Sequence, residues 1–227
     1  MMKSYTFKVL LFGLALIGLG TASYHRPGLQ APSVMNKTKS VEIISLLPTD
    51  RGHDLLLRNI TPKNITGYSV AFKNGASTTV DLTVGERVIA PGDQFTMHLP
   101  EGVEMLQPSF RYVIFDDDTG DGDPNAILEL QDRRAGRREQ LRRIVSMLNT
   151  ASASANIEQL KTDLQSLPED SAAGRSVYFA LGMRNAKEDA LLEVGKLDKS
   201  NVRAELTKLA EKNNKRIMRL PTRQSNP

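Results

Sequence analysis

The sequence predicts an α+β protein, with strands in its N-terminal half and helices in its C-terminal half. Before about residue 110, apolar residues recur at every second position, and after about residue 125 they recur at every third or fourth. The change falls within residues 110–125, where a last strand leads into an acidic turn that opens a helix. The 40% apolar and 25% charged residues of the 227-residue chain are typical of a globular protein.

The first 23 residues have the pattern of a signal peptide. Lys3 and Lys8 precede the apolar run Val9–Leu19, and small residues at positions 20–23 fit a cleavage site. The run is shorter than the ~20 residues that span a bilayer, although an uncleaved membrane anchor is the alternative. The chain has no cysteine, and therefore no disulfide or lipid-attachment site. We expect an exported bacterial envelope protein, periplasmic or secreted, with no stable membrane span once the signal is cleaved.

Residues 24–40 lack periodicity and are predicted to form a flexible tether. Seven short alternating runs follow, separated by turn sequences such as Asn74-Gly75 and Pro91-Gly92. The runs are Val41–Ile43, Leu55–Leu57, Tyr68–Phe72, Val80–Val84, Val88–Ala90, Phe95–Leu99 and Phe110–Ile114. This spacing predicts a seven-stranded antiparallel immunoglobulin-like β-sandwich over residues 41–123. Its core is expected to contain Tyr68, Val70, Phe72, Leu82, Phe95, Met97, Tyr112 and Ile114.

Three stretches of this half, Leu55–Val70, Ile89–Gly92 and Val113–Asp123, resemble a group of uncharacterised exported bacterial proteins with an immunoglobulin-like domain. The resemblance covers approximately residues 41–148, and its motifs are structural. It implies the sandwich fold and export, but no activity.

The C-terminal half is predicted to be helical over residues 124–220. Asp123 before Pro124 provides a capping acid followed by a proline at the first helical position. Apolar residues at helical spacing then continue to about Asn149, and the same spacing begins again at Ile157, Val177 and Val202. Residues 221–227 are predicted to be a disordered tail.

The acidic turn is the best candidate site, because it places five aspartates within eight residues. So many negative charges close together require a counter-charge, which is either the group of arginines that follows in sequence or a divalent ion. The first alternative makes the turn an ion-pair hinge between sandwich and helices, formed by Asp116, Asp117, Asp118, Asp121, Asp123, Arg133, Arg134, Arg137 and Arg138. The second is a calcium site with Asp117, Asp121, Asp123 and Asn125 as ligands, in which Leu128 stands where an EF-hand has glutamate.

The two halves of the chain differ in net charge. Residues 1–125 contain 11 Lys and Arg against 13 Asp and Glu, whereas residues 126–227 contain 19 against 13. The basic residues of the second half could belong to a solvated helix surface. Alternatively, the arginine cluster that extends to Arg142 and Arg143 could hold phosphate-bearing lipid or polymer. Nucleic acid is not an expected partner, since export and the lack of interleaved aromatics argue against it.

The sequence favours a non-catalytic protein. It has no His-Glu-x-x-His helix, no Gly-x-Ser-x-Gly elbow and no phosphate-binding glycine-rich loop. We expect recognition or scaffolding in the envelope, with an envelope protein or a cell-wall component as partner and no cofactor unless calcium binds. The alternative is a metal-dependent hydrolase-type enzyme with its site at the acidic turn.

Overall fold

Strands come first in the chain and helices follow, so the predicted α+β class is confirmed. The computed structural model describes residues 34–85, 87–101, 107–169, 174–198 and 200–220, which belong to one compact unit. Within these ranges the strands are β1 (Met35–Asn36), β2 (Val41–Thr49), β3 (Gly52–Asn59), β4 (Ile65–Ala71), β5 (Ser77–Asp81), β6 (Gln94–Pro100), β7 (Ser109–Phe115) and β8 (Gly120–Gly122). The helices are α1 (Pro124–Ser154), α2 (Ile157–Ser166), α3 (Val177–Gly195) and α4 (Val202–Arg219). The predicted signal peptide and C-terminal tail lie outside the described residues.

The strands form two sheets that share one apolar core. The larger sheet has the order β1-β7-β4-β5, with β8 also paired to β7, and the smaller has the order β2-β3-β6. Only the β1–β7 pair is parallel among the described strands. Leu55 and Leu57 of the smaller sheet are in the same buried cluster as Val70 and Phe110 of the larger one. The two sheets therefore pack against each other by burying apolar side chains, the main stabilising contribution to such a fold.

A bulge in β7 decides which of its side chains face this core. Phe110 pairs with Val70 and Tyr112 with Ser69, so Arg111 is an extra residue opposite β4. An extra residue reverses the alternation of side chains. As a result Phe110 lies in the core between the sheets, whereas Tyr112 and Ile114 lie on the opposite face. The expectation that Tyr112 and Ile114 point into the sandwich is wrong for this reason.

The outer face of the larger sheet is covered by α1. Tyr112 and Ile114 form a buried cluster with Ala126 and Leu130 from the first two turns of the helix. Every residue of β4 from Ile65 to Val70 is buried, as expected for a strand covered on both faces. The helical half is thus packed directly on the sheet.

The four helices enclose a second core. Its largest buried side chains include Leu141, Ile144, Leu148, Leu160, Leu164 and Leu206. Where α1 passes α3, Gly136 contacts the backbone of Phe179, and Gly182 contacts the backbone of Arg133 and Arg137. A side chain at either glycine would prevent this approach, so the absence of a Cβ sets the distance between the helices.

Two of the seven predicted strand runs are confirmed only in part: Val80 and Asp81 end β5, and Ile89 forms a single bridge. Leu82 and Val84 lie in a 3-10 helix, Leu82–Gly85, rather than in a strand. Asp81 starts this helix, because its carboxylate accepts hydrogen bonds from the Thr83 backbone N–H (3.2 Å) and hydroxyl (2.6 Å). In the run Val88–Ala90, only Ile89 makes a bridge, to Ile65. The short strands β1 and β8, by contrast, are additional to the seven.

The last residues of the predicted tether take part in the fold. Met35–Asn36 forms β1 beside β7, and Thr38 and Ser40 are buried. Sequence periodicity could not reveal a two-residue strand, since it is shorter than the alternation that identifies one.

Candidate functional site at the acidic turn

The acidic turn is a tight hairpin between β7 and β8. The Phe115 N–H donates to the Thr119 carbonyl (2.9 Å), and the Asp118 N–H donates to the Phe115 carbonyl (3.1 Å). Asp118 has φ 64°, a left-handed conformation that aspartate adopts more readily than most residues. After three residues of β8, Asp123 caps α1, with Oδ1 accepting from the N–H groups of Asn125 (3.1 Å) and Ala126 (3.3 Å). The sheet thus leads directly into the helix.

The two aspartates at the tip of the turn are held by the β3–β4 loop. Asp116 accepts a hydrogen bond from the Asn64 side chain (2.8 Å), and Asp117 pairs with Lys63 Nζ (2.6 Å). Partial burial opposes ionisation of Asp117, but hydrogen bonds from Lys63 and from the Thr119 hydroxyl and N–H outweigh it and hold its pKa at about 2. Asp117 is therefore a carboxylate at any physiological pH.

The two aspartates nearer the helix are held by the segment before β2 and by β7. Asp121 Oδ2 accepts from the Lys39 backbone N–H and from the Ser40 hydroxyl, each at 2.6 Å. Asp123 Oδ2 pairs with Arg111 Nη2 at 2.6 Å. The hydrogen bond from Arg111 is the main cause of the lowered pKa of Asp123, with further lowering by the helix N–H groups. Arg111 is the bulged residue of β7, so the bulge directs this cation towards the start of α1.

Asp118 lies beside Arg134, the most deeply buried charged residue of the junction between sheet and helix. Arg134 is 2% exposed, and its Nη1 is 3.7 Å from Asp118 Oδ1. Its Nη2 donates to Asp81 Oδ1 (2.9 Å) and to the Thr66 carbonyl (2.8 Å). One guanidinium from α1 therefore contacts β4, the end of β5 and the acidic turn.

The other arginines of the predicted hinge have different surroundings. Arg137 pairs with Asp189 of α3 instead of the turn. Arg133 lies beside Tyr112 and Tyr178. Arg138 lies near Asp118 and Arg142. The arginines are distributed around α1, and only the side facing the sheet can reach the acids.

The four candidate calcium ligands do not converge. Asp117, Asp121 and Asp123 each accept hydrogen bonds from different protein donors, and Asn125 contributes a backbone N–H to Asp123. Within the described ranges, no group of three or more Asp, Glu or His side chains is arranged to hold a metal ion.

Sequence reasoning missed Asp81, the nearer of the two acidic partners of Arg134. The sequence feature that could have indicated Asp81 is that it is the single charged residue in the alternating run Val80–Val84. Lys63 and Asn64 were also missed, because their loop is distant from the turn in sequence. Arg111 was missed because its direction towards Asp123 depends on the bulge in β7.

No family model, no curated protein and no solved structure matches this chain. Among the described helices, none combines the length and apolar character needed to cross a bilayer.

Proposed function

We propose that the protein is an exported, non-catalytic recognition or scaffolding protein of the bacterial envelope, and that the acidic turn is its structural junction. The observation that carries this proposal is the set of partners around the turn. All five aspartates contact groups of the protein itself, from the segment before β2, the β3–β4 loop, β7 and α1. Catalytic carboxylates and metal ligands are arranged together around one substrate or ion, whereas each of these carboxylates is directed to a protein group in a different segment.

Strand pairing supports an immunoglobulin-like type for the sandwich. In that topology strand B lies beside strand E in one sheet, and strand C lies beside strand F in the other. Here β3 pairs with β6, and β4 pairs with β7. β2 beside β3 and β8 beside β7 match strands A and G, whereas β5 beside β4 matches the C′ strand of variable-type domains rather than strand D, and β1 is an addition. Domains of this kind bind partners through loops and sheet edges, which suits recognition.

Export is supported by the signal-peptide pattern of residues 1–23. Cell fractionation of a C-terminally tagged chain tests it. We expect recovery from the periplasm or medium, with an N-terminus between Ala22 and Tyr24, and crosslinks to an envelope protein or cell-wall component. Full-length chain in the cytosol, or only in detergent-extracted membranes, would contradict this proposal; the latter would favour an anchor.

A further inference from the structure

The smaller sheet of the sandwich ends at β6, which has a free edge among the described strands. β6 pairs with β3 on one side, and no described strand pairs with its other side. In immunoglobulin-like domains strand E, which β6 matches, lies between strands B and D. Here β5 pairs with β4 of the larger sheet instead, so no described strand takes the place of strand D.

The backbone groups on this free edge follow from the pairing of β6 with β3. The Asn59 N–H donates to the Asp93 carbonyl (3.0 Å), and hydrogen-bonded residues alternate along an antiparallel ladder. Every second residue from Asp93 therefore bonds to β3, whereas the N–H and C=O groups of Gln94, Thr96 and His98 point away from it. Within the described ranges, no residue forms a hydrogen bond with these outward groups.

β6 also lacks the features that protect sheet edges from pairing. Natural edge strands are shielded by charged side chains, prolines, bulges or short length. β2, the opposite edge of the same sheet, has a bulge at Ile44 and contains Glu42 and Pro48. β6 pairs with β3 over seven residues without a bulge, has no Asp, Glu, Lys or Arg, and has proline only as its last residue, Pro100. An added strand would therefore meet neither a charge nor an irregularity.

The apolar core is incompletely covered on the same side of the sandwich. Asp121 of β8 accepts a hydrogen bond from the Ser40 hydroxyl, just before β2. β2 thus lies over the β7–β8 side of the larger sheet, and the free edge of β6 lies over β5. Phe95 of β6 contacts Tyr68, with ring centroids 5.1 Å apart, and the cross-strand neighbour of Tyr68 is Val80 of β5. Phe95 and Val80 pack against the core but are only partly buried, so an apolar side chain beside β6 would cover them.

We propose that the free edge of β6 binds an extended segment of a partner protein, which adds a fourth strand to the smaller sheet. The segment is about as long as β6 and apolar at the alternate positions that face Phe95 and Val80. It is uncharged, because residues 94–100 and 77–80 on the two sides of the position contain no Asp, Glu, Lys or Arg. In strand addition, backbone hydrogen bonds provide affinity and alternate side chains provide specificity. The proposal rests on the proposed recognition function and specifies how the partner binds.

A second copy of this chain does not fit the position. The larger sheet extends beyond β6 by one strand, β5. A second sandwich paired through its own β6 would bring its larger sheet against β5, whereas a single added strand has no second layer. The N-terminal segment is also poorly placed, because the described chain begins beside β7, on the side of the larger sheet opposite to β5.

Amide hydrogen exchange of the purified protein, followed by NMR, tests whether the edge is free. We expect the N–H groups of Gln94, Thr96 and His98 to exchange fast, and those of Met97 and Leu99 to be protected by their bonds to β3. Light scattering gives the oligomeric state of the same sample. Protection of Thr96 in a monomer would mean that the chain itself covers the edge, and protection that requires a dimer would mean that a second copy does. Either result would overturn the proposal.

A synthetic peptide of alternating valine and threonine, with a lysine at each end for solubility, is the probe for strand addition. We expect saturable binding in an NMR titration, slower exchange of the Thr96 N–H, and at least tenfold weaker binding by Thr96→Pro. Proline removes the central outward donor without removing a hydrogen bond to β3. Thr96→Val keeps this donor and is the matched control, with the affinity of the unmodified protein. No saturable binding, or equal affinities of the two variants, would overturn the proposal.

A second peptide repeats the test on the unmodified protein, so the result does not depend on the folding of a variant. In this peptide two prolines replace the two central residues. Neighbouring residues of a strand direct their N–H groups to opposite sides, so one of the prolines removes a donor that faces β6. Binding should be at least tenfold weaker than for the first peptide, and equal binding would overturn strand addition. Cell fractionation tests export separately, which distinguishes failure of the envelope function from failure of the binding edge.

Discussion

Replacing Gly182 with alanine is expected to destabilise the protein by about 3 kcal/mol or more, or to prevent folding. A Cβ at this position would overlap the Arg133 carbonyl and approach the Arg137 backbone N of α1. Backbone atoms cannot move aside as a flexible side chain can, so α1 and α3 would have to separate. Gly136→Ala should have a similar effect, because its Cβ would overlap the Phe179 carbonyl.

Gly195 is the matched control for this prediction. It is in the same helix as Gly182, but a Cβ built there has no atom within 4 Å. Alanine at position 195 should leave the free energy of unfolding unchanged or raise it by up to about 1 kcal/mol, as helix propensity predicts. Chemical denaturation measures all three variants. Equal effects at positions 182 and 195 would show that the close crossing of α1 and α3 is absent in solution.

Replacing Arg134 with methionine is expected to cost about 3–5 kcal/mol. The change removes the hydrogen bond to the Thr66 carbonyl and leaves Asp81, whose side chain is 12% exposed, without its cation. Methionine keeps much of the apolar volume, so the loss reports the charge and its hydrogen bonds. Arg143→Met, which breaks a pair whose side chains are 40% and 41% exposed, should cost less than about 1 kcal/mol.

A double-mutant cycle tests whether Asp81 is the energetically important partner of Arg134. Asp81→Asn keeps an acceptor for Thr83 but removes the charge that Arg134 faces, so the losses of the two single variants should not add. We expect a coupling energy of about 0.5–3 kcal/mol between positions 134 and 81. Additive losses, or a loss in Arg134→Met no larger than in Arg143→Met, would contradict the assigned role of this arginine.

The features that the sequence predicts well are local ones. The change of period near residue 110 separates strands from helices, and Asp123-Pro124 marks the start of α1, because capping depends on neighbouring residues. The bulge at Arg111 could not be predicted, since it arises from the pairing of β7 with β4. Without the bulge, Tyr112 would face the other sheet, so one unpredicted residue moves two side chains to the helix side.

For the acidic turn, too, the sequence predicts local features but not tertiary contacts. Its aspartates and the need for a counter-charge are evident from composition, but the choice of partner is a tertiary property. Arg134 reaches the junction because it lies on the side of α1 that faces the sheet, whereas Arg137 on the next turn pairs with α3. Lys63 comes from a loop that only the fold brings to the turn, and Arg111, although close in sequence, is directed to Asp123 by the bulge in β7.

Calcium titration of chelator-treated protein, followed by thermal unfolding, tests most directly whether the acidic turn is a structural junction. An ion at a hundred times its Kd would stabilise the folded state by about 2.7 kcal/mol, which is several degrees for a protein of this size. We predict no saturable rise in melting temperature, because the carboxylates are already held by Lys63, Arg111, Arg134 and the segment before β2. A saturable rise at submillimolar calcium would contradict this account and would identify the turn as a metal site.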